Sequence, residues 1–220
     1  MKQGILIILS GPAGIGKGSV RKLAIHDASL HCFCSVLDTT KRKKFKGKEP
    51  YHFISPYEFY RRKEAGFYLA TFESQGNLYG IQKEEILQEL ASGKNIVLDV
   101  DVPIALKLME QFRGMYTLTV FIQPPNLDEL RRRLNNSHDV DKGDIDAKIK
   151  QAEEDLKSAP LFDVVLTNYV LKKTFKRFVT SLENRTRYIL SIENNTSEME
   201  NYHWQSCRES RSSLFLLQQR

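Results

Sequence analysis

Four short runs of aliphatic residues recur along the chain with amphipathic stretches between them. Gly4–Leu9 (GILIIL) is continuous and Ile-rich, the pattern of a strand buried on both faces. Asn95–Asp101 (NIVLDVD), Tyr116–Ile122 (YTLTVFI) and Asp163–Thr167 (DVVLT) repeat it. After the first run, Val20, Leu23 and Ala24 alternate with Arg21, Lys22 and His26, which is helical spacing over Ser19–Ala28. Helical patterns also cover Lys83–Ala91, which stops at Ser92-Gly93, and Pro103–Phe112. Pro124-Pro125 ends the third strand, and Asn126 caps a helix through Leu134. A charged helix reaches Leu156, and another follows the fourth strand to about Leu182. Strands alternating with helices predict a parallel sheet covered on both faces, with ligands beyond the carboxyl ends of its strands.

Two regions depart from this alternation. Charged and aromatic residues dominate Thr39–Phe59, with strand-like Tyr51–Ile54, which predicts a small separate lobe. Within it Ser55-Pro-Tyr-Glu58 reads as a helix start, with Ser55 as cap, Pro56 in the first turn and Glu58 three on. From about Asn184 the composition turns to Asn, Ser, Glu and Arg, and residues 186–220 read as a polar tail that carries one apolar run, Leu214–Leu217.

The chemistry starts at Leu9–Val20, LSGPAGIGKGSV. Gly11, Gly16 and Lys17 match the phosphate-loop spacing G-x-x-x-x-G-K-[ST], and strand–loop–helix is the context that motif needs. Glycines let successive backbone N–H groups point at one anion, while the helix N-terminus and Lys17 add positive charge. The expected ATP-binding residues are Gly11, Pro12, Ala13, Gly14, Ile15, Gly16, Lys17, Gly18 and Ser19. Gly18 stands where Ser or Thr normally holds Mg²⁺. Ser19 does not substitute, because one residue along a helix turns a side chain by about 100°. Mg²⁺ keeps several waters and can be held by phosphates, so a site without that hydroxyl can still work. No protein ligand is assigned to the metal. The second run ends in Asp99 and Asp101, two apart and hence on one face.

Charge and cysteines add less. The net charge of +6 suits polyanionic small substrates and nucleic acid alike. Lys41–Lys44 and Arg131–Arg133 are basic runs of the kind that most often form solvated faces, so a nucleic-acid role ranks last. Cys32, Cys34 and Cys207 give neither a disulfide framework nor zinc spacing. The expectation is a cytoplasmic protein with reduced thiols, without a signal peptide or membrane span, monomeric or homodimeric.

With these segments in place, residues 4–182 resemble a guanylate kinase. The likeness rests on SGPAGIGKGSV, SVLDTTKRKK, YHFIS, GNLYG, IVLDVDV, VFIQPP and DVVLTN, in this order and spacing. It implies an α/β three-layer P-loop kinase fold with a parallel central sheet, a small acceptor-binding lobe over about 36–82 and a helical lid over about 133–158, all within a domain of residues 1–185. It also implies transfer of the ATP γ-phosphate to GMP, giving GDP and ADP, with Mg²⁺ bound through the phosphates. By the same resemblance the catalytic residues are Lys17, Arg133 and Lys148. Lys41 and Lys44 stand at two arginines that grip the acceptor phosphate, and Tyr51 and Tyr79 match two tyrosines there. Asp38, Thr40, Asp99 and Asp101 complete the acceptor set.

The departures matter. Lysine keeps charge but loses the bidentate fork, and Ser137 replaces a lid arginine. At the base-reading positions the resemblance places Asp38, Ala70 and Ile81 where the family has Ser, Glu and a hydroxyl residue. An ionised Asp38 would repel a carbonyl oxygen and accept from an exocyclic amine. The changes run towards relaxed base selectivity. The alternative is a nucleotide-binding or scaffold module of the same fold with altered base specificity or weak or no catalysis. Retention of the phosphate loop favours the enzyme.

Overall fold

A computed structural model describes residues 3–35, 37–40, 51–74, 76–112, 114, 116–136 and 145–195. The aliphatic runs form the main sheet. Its strands are β1 (Leu6–Ser10), β2 (Cys32–Phe33), β7 (Asn95–Asp99), β8 (Thr117–Gln123) and β9 (Val164–Thr167). They lie in the order β2-β7-β1-β8-β9, each pair parallel. β1 is central and buried throughout, which is why its sequence shows no alternation. Leu6 and Ile8 point to one face, where they join Ile86 and Leu90 of α3 (Lys83–Ala91) and Leu108 of α4 (Val102–Phe112). Ile7 and Leu9 point to the other face and are equally buried. Both faces are therefore covered, as the alternation predicts.

The lobe carries a second sheet. β3 (Leu37–Thr39), β4 (Tyr51–Phe53), β5 (Tyr68–Ser74) and β6 (Asn77–Gln82) lie in the order β4-β3-β6-β5. β3 and β4 are parallel, and the other pairs are antiparallel. The sequence reading does not anticipate the β5–β6 hairpin. α2 (Pro56–Glu64) starts as predicted, with the Ser55 side chain accepting from Glu58 N–H at 3.1 Å.

α5 (Leu127–Asn136) and α6 (Ile145–Leu156) cover most of the expected lid. Leu130, Leu134, Ile145, Ile149 and Ala152 form a small core of their own between them. α7 (Leu171–Asn195) is longer than expected. No Gly or Pro occurs after Pro160, so nothing in the sequence breaks the helix near Leu182. Chain contacts divide the protein into Met1–Leu182 and Glu183–Arg220, and within the second unit Arg187 pairs with Glu183 at 3.7 Å. Among the described residues no helix is long and apolar enough to cross a membrane. Lys41, Lys44, Ser137 and the run Leu214–Leu217 lie outside the described residues.

Candidate active site

The glycine loop leaves the carboxyl end of β1 and enters α1 (Lys17–His26). Gly11, Gly14 and Gly16 all have positive φ, and Gly16 caps the helix. A Cβ on Gly11 would lie 2.1 Å from the Ile122 carbonyl oxygen, so only glycine lets the loop run this close to β8. Gly14 packs likewise against Leu134 of α5, 2.5 Å from where a Cβ would stand. Lys17 folds across the loop, its ammonium donating to the carbonyls of Gly11 and Pro12, the latter at 3.0 Å. Backbone amides at a helix start with an ammonium over them suit a phosphate chain.

Asn168, which the sequence reading does not single out, steadies this loop. Its Nδ2 donates to the Ile15 carbonyl at 2.7 Å, and its Oδ1 accepts from the Thr174 hydroxyl at 2.9 Å. The available signal is its place just beyond β9, at the carboxyl edge of a parallel sheet. Arg133 is tied to the same corner. It donates to Glu129 at 2.8 Å and to the Asn168 carbonyl at 2.7 Å. Its fork thus joins α5 to the β9–α7 connection, rather than extending free over the loop.

Asp99 closes β7 beside Lys17. Burial raises its pKa, Lys17 and then Arg21 oppose the rise, and Asp101 adds to it. Asp101 stands just past the strand, with its carbonyl accepting from Ala105 N–H at 2.9 Å. Asp155 of α6 also faces this space. Its carboxyl is pushed up by burial, while the Gln151 amide at 3.0 Å and the charge of Lys17 pull it down. Lys148 occupies the same helical face as Gln151 and Asp155. Asp155 is a second residue that the sequence reading misses. Only its four- and seven-residue spacing from Gln151 and Lys148 could have marked it.

The lobe turns one sheet face towards this cluster. Leu37, Thr39, Tyr51, Ala70, Phe72, Tyr79 and Ile81 share that face by strand alternation and register. The Tyr51 and Tyr79 rings meet edge to face at 5.9 Å. Burial raises the pKa of Tyr51, the charge of Asp101 adds to the rise, and Arg21 lowers it. Tyr79 is raised by burial and by Asp101, and is hydrogen-bonded to Thr39. The structure thus gathers Lys17, Asp99, Asp101, Tyr51 and Tyr79 around one space.

Asp38 is not among them, which corrects the sequence expectation. It lies on the opposite face of β3 and is fully buried. Its carboxylate accepts from Arg62 at 2.8 Å, Tyr68 at 2.8 Å and Gln82 at 3.0 Å, with His52 at 3.4 Å. A carboxylate held by that many donors is a structural anchor of the lobe. Thr40 also serves the fold, its hydroxyl accepting from Leu78 N–H at 2.9 Å. The β3 side chains on the face of Tyr51 and Tyr79 are Leu37 and Thr39. Leu37, Ala70 and Ile81 are aliphatic and pack into the hydrophobic core, 2 %, 7 % and 0 % exposed.

Gly18 follows Lys17 in α1, and a Cβ there would lie 3.8 Å from Asp99 Oδ2, an ordinary contact. A divalent ion near the phosphates would thus have a carboxylate at hand. Among the described residues no cluster of His, Cys, Asp or Glu forms a metal site by itself.

Comparison with known proteins agrees with this arrangement. The family model described as Guanylate kinase matches residues 3–185. The chain is 35 % identical over 177 residues to the guanylate kinase of Wolinella succinogenes, covering 79 % of this chain and 81 % of that one. It is 32 % identical over 177 residues to the guanylate kinase of Sulfurimonas denitrificans, covering 80 % and 85 %. The crystal structure of guanylate kinase from Anaplasma phagocytophilum superposes with a TM-score of 0.68 at 26 % identity, covering 84 % of this chain and 87 % of that one. With the family model matching residues 3–185 and relatives more than 30 % identical over most of both chains, the chain belongs to the guanylate kinase family.

Proposed function

We propose that the chain transfers the γ-phosphate of ATP to GMP, giving GDP and ADP. The observation that carries this is the convergence of the Lys17 loop with Asp99, Asp101 and the Tyr51–Tyr79 pair. A phosphate-chain site and an acceptor site then adjoin, as in-line transfer requires. The reaction involves no covalent intermediate on the protein. It needs alignment and neutralisation of charge on the moving phosphoryl group. The loop amides and Lys17 hold the donor phosphates. Lys148 on α6 supplies a second cation. Asn168 keeps the loop in shape, and Arg133 fixes α5 to Asn168. Tyr51 and Tyr79 are neutral phenols whose pKa values are raised further by burial, and they offer hydroxyl donors to the acceptor phosphate. Mg²⁺, held by phosphate oxygens and water with Asp99 nearby, would neutralise charge on the transferring group.

The test is turnover with ATP and Mg²⁺ against a panel of nucleoside monophosphates, in the intact protein and in Lys17→Ala. GDP formation should vanish in Lys17→Ala while the melting temperature stays within a few degrees. Unchanged turnover in that variant would sink the assignment.

A further inference from the structure

The functional reading leaves one buried charge without a task. Arg21 lies one helical turn after Lys17 on α1, and its side chain is only 14 % exposed. Its Nε is buried and has no hydrogen-bond partner among the described residues. Asp99 Oδ2 is 3.6 Å from that nitrogen, close enough for charge attraction but too long for a hydrogen bond. Nη1 donates to Cys34 Sγ at 3.6 Å, and a thiol sulfur is a weak acceptor. A guanidinium carries five N–H donors in a rigid fork. Removing it from water and leaving donors poorly paired is costly, so such a group in a cleft points to a ligand that completes the pairing.

The surroundings identify the ligand's chemistry. Arg21 and Asp99 share their space with Tyr51 and Asp101, so the fork borders the acceptor side of the cleft. On the lobe, the face shared with Tyr51 and Tyr79 carries Leu37, Ala70 and Ile81, which are aliphatic, packed into the core, and can neither donate nor accept. Asp99 and Asp101 are acceptors. A purine with a carbonyl at C6 and a hydrogen on N1 needs a donor on one edge and an acceptor on the other. Arginine matches the O6/N7 edge of guanine bidentately, whereas adenine would set its N6 amine against another donor.

Building on the proposed acceptor, we propose that Arg21 reads the base of the acceptor nucleotide. Its guanidinium donates to the carbonyl edge of a 6-oxopurine, and Asp101 accepts from the ring N–H. A donor on α1 thereby takes over a task that these aliphatic lobe residues cannot perform. The selectivity device sits on the core, not on the lobe.

The experiment measures kcat/KM for GMP, IMP and AMP with ATP–Mg²⁺ in the intact chain, Arg21→Leu and Arg21→Gln. Calorimetric GMP binding and thermal melting accompany each. Leucine removes every donor, while glutamine keeps an N–H donor without charge. In Arg21→Leu, kcat/KM for GMP and IMP should fall about 10- to 100-fold, the range of one bidentate base contact. AMP should change less than threefold, KM for ATP should be unchanged, and Arg21→Gln should recover part of the loss. An equal loss for all three monophosphates would show that Arg21 grips phosphate, and no loss would show that it only packs. Either result overturns the proposal. If Arg21→Leu melts far below the intact protein, the Gln variant decides by the same ratios. If the intact chain turns over no monophosphate, the proposed activity falls. GMP and AMP binding in the variants then decides the role of Arg21 by itself.

Discussion

At position 18 a glycine stands where the phosphate-loop pattern has Ser or Thr. Glycine at the second residue of α1 is not required by backbone geometry, since its φ is not among the positive values. Nor is it required by space, because an added Cβ would make an ordinary 3.8 Å contact with Asp99. A hydroxyl at this position would therefore add an oxygen ligand for a metal without disturbing the packing. Gly18→Ser should fold normally and lower the Mg²⁺ concentration for half-maximal ATP binding several-fold, as one added oxygen ligand would do. A titration of nucleotide binding against Mg²⁺ checks this, and an unchanged midpoint would place the ion elsewhere. Asp38 makes the opposite point, since what looks like substrate chemistry is a scaffold. Asp38→Ser removes a fully buried carboxylate and leaves Arg62, Tyr68 and Gln82 short of an acceptor. Arg62 is partly solvated, so the loss should be about 2–3 kcal/mol, below the full range for a broken buried pair. Denaturant unfolding measures it. The GMP-to-AMP ratio of kcat/KM should stay put, whereas a shifted ratio would return Asp38 to the base site.

At the scale of elements, one helix on the lobe and one beside the phosphate loop are built on one plan. α2 has Ser55 as cap, Glu58 at the third position, and Arg61 and Arg62 beyond it. α5 has Asn126 as cap, Glu129 at the third position, and Arg132 and Arg133 beyond it. Each glutamate sits near the positive end of its helix and accepts from two guanidinium groups three and four residues on, the favourable orientation. Arg61 and then Arg62 hold Glu58 down to about 2, and Arg132 and then Arg133 do the same for Glu129. The sign follows from the depressed values. Protons bind the unfolded chain near the ordinary glutamate pKa and the folded chain only near 2, so the stabilisation is present above about pH 4.5 and is lost as pH falls through 2. Glu129→Gln should therefore melt below the intact chain at pH 6, and the two melting curves should converge by about pH 2. A gap independent of pH would mean that the glutamate acts through packing. Because Arg133 bridges Glu129 to Asn168, this variant should also loosen the phosphate loop and raise KM for ATP.

For the molecule as a whole, the sheet was legible because its information is local and redundant. Runs such as Gly4–Leu9 and Asn95–Asp99 are buried on both faces, so hydrophobicity alone marks them. The loop was legible because its glycine spacing has one structural meaning. The lobe was harder. Its hairpin Tyr68–Gln82 is bulged between Tyr68 and Ala70, which breaks the alternation a reader would follow. On β3 consecutive residues point to opposite faces, so Leu37 and not its neighbour Asp38 shares the face of Tyr51 and Tyr79. Arg21 was hidden because a basic residue in a helical pattern ordinarily faces solvent. The last expectation concerns the C-terminal residues. Every group assigned to the reaction lies between Gly11 and Asn168, at the carboxyl edge of the main sheet or on the lobe and lid. Residues 196–220 are mostly polar, and Leu214–Leu217 is too short a run to offset the entropy of ordering a chain of that length. A chain ending at Asn195, which keeps all of α7, should therefore match the full chain in melting temperature and in kcat/KM for ATP and GMP, within about twofold. A chain ending at Leu182 removes the helical residues Glu183–Asn195 as well and serves as the contrast. If the chain ending at Asn195 already loses activity or precipitates, Leu214–Leu217 packs on the enzyme, and the tail belongs to the folded protein.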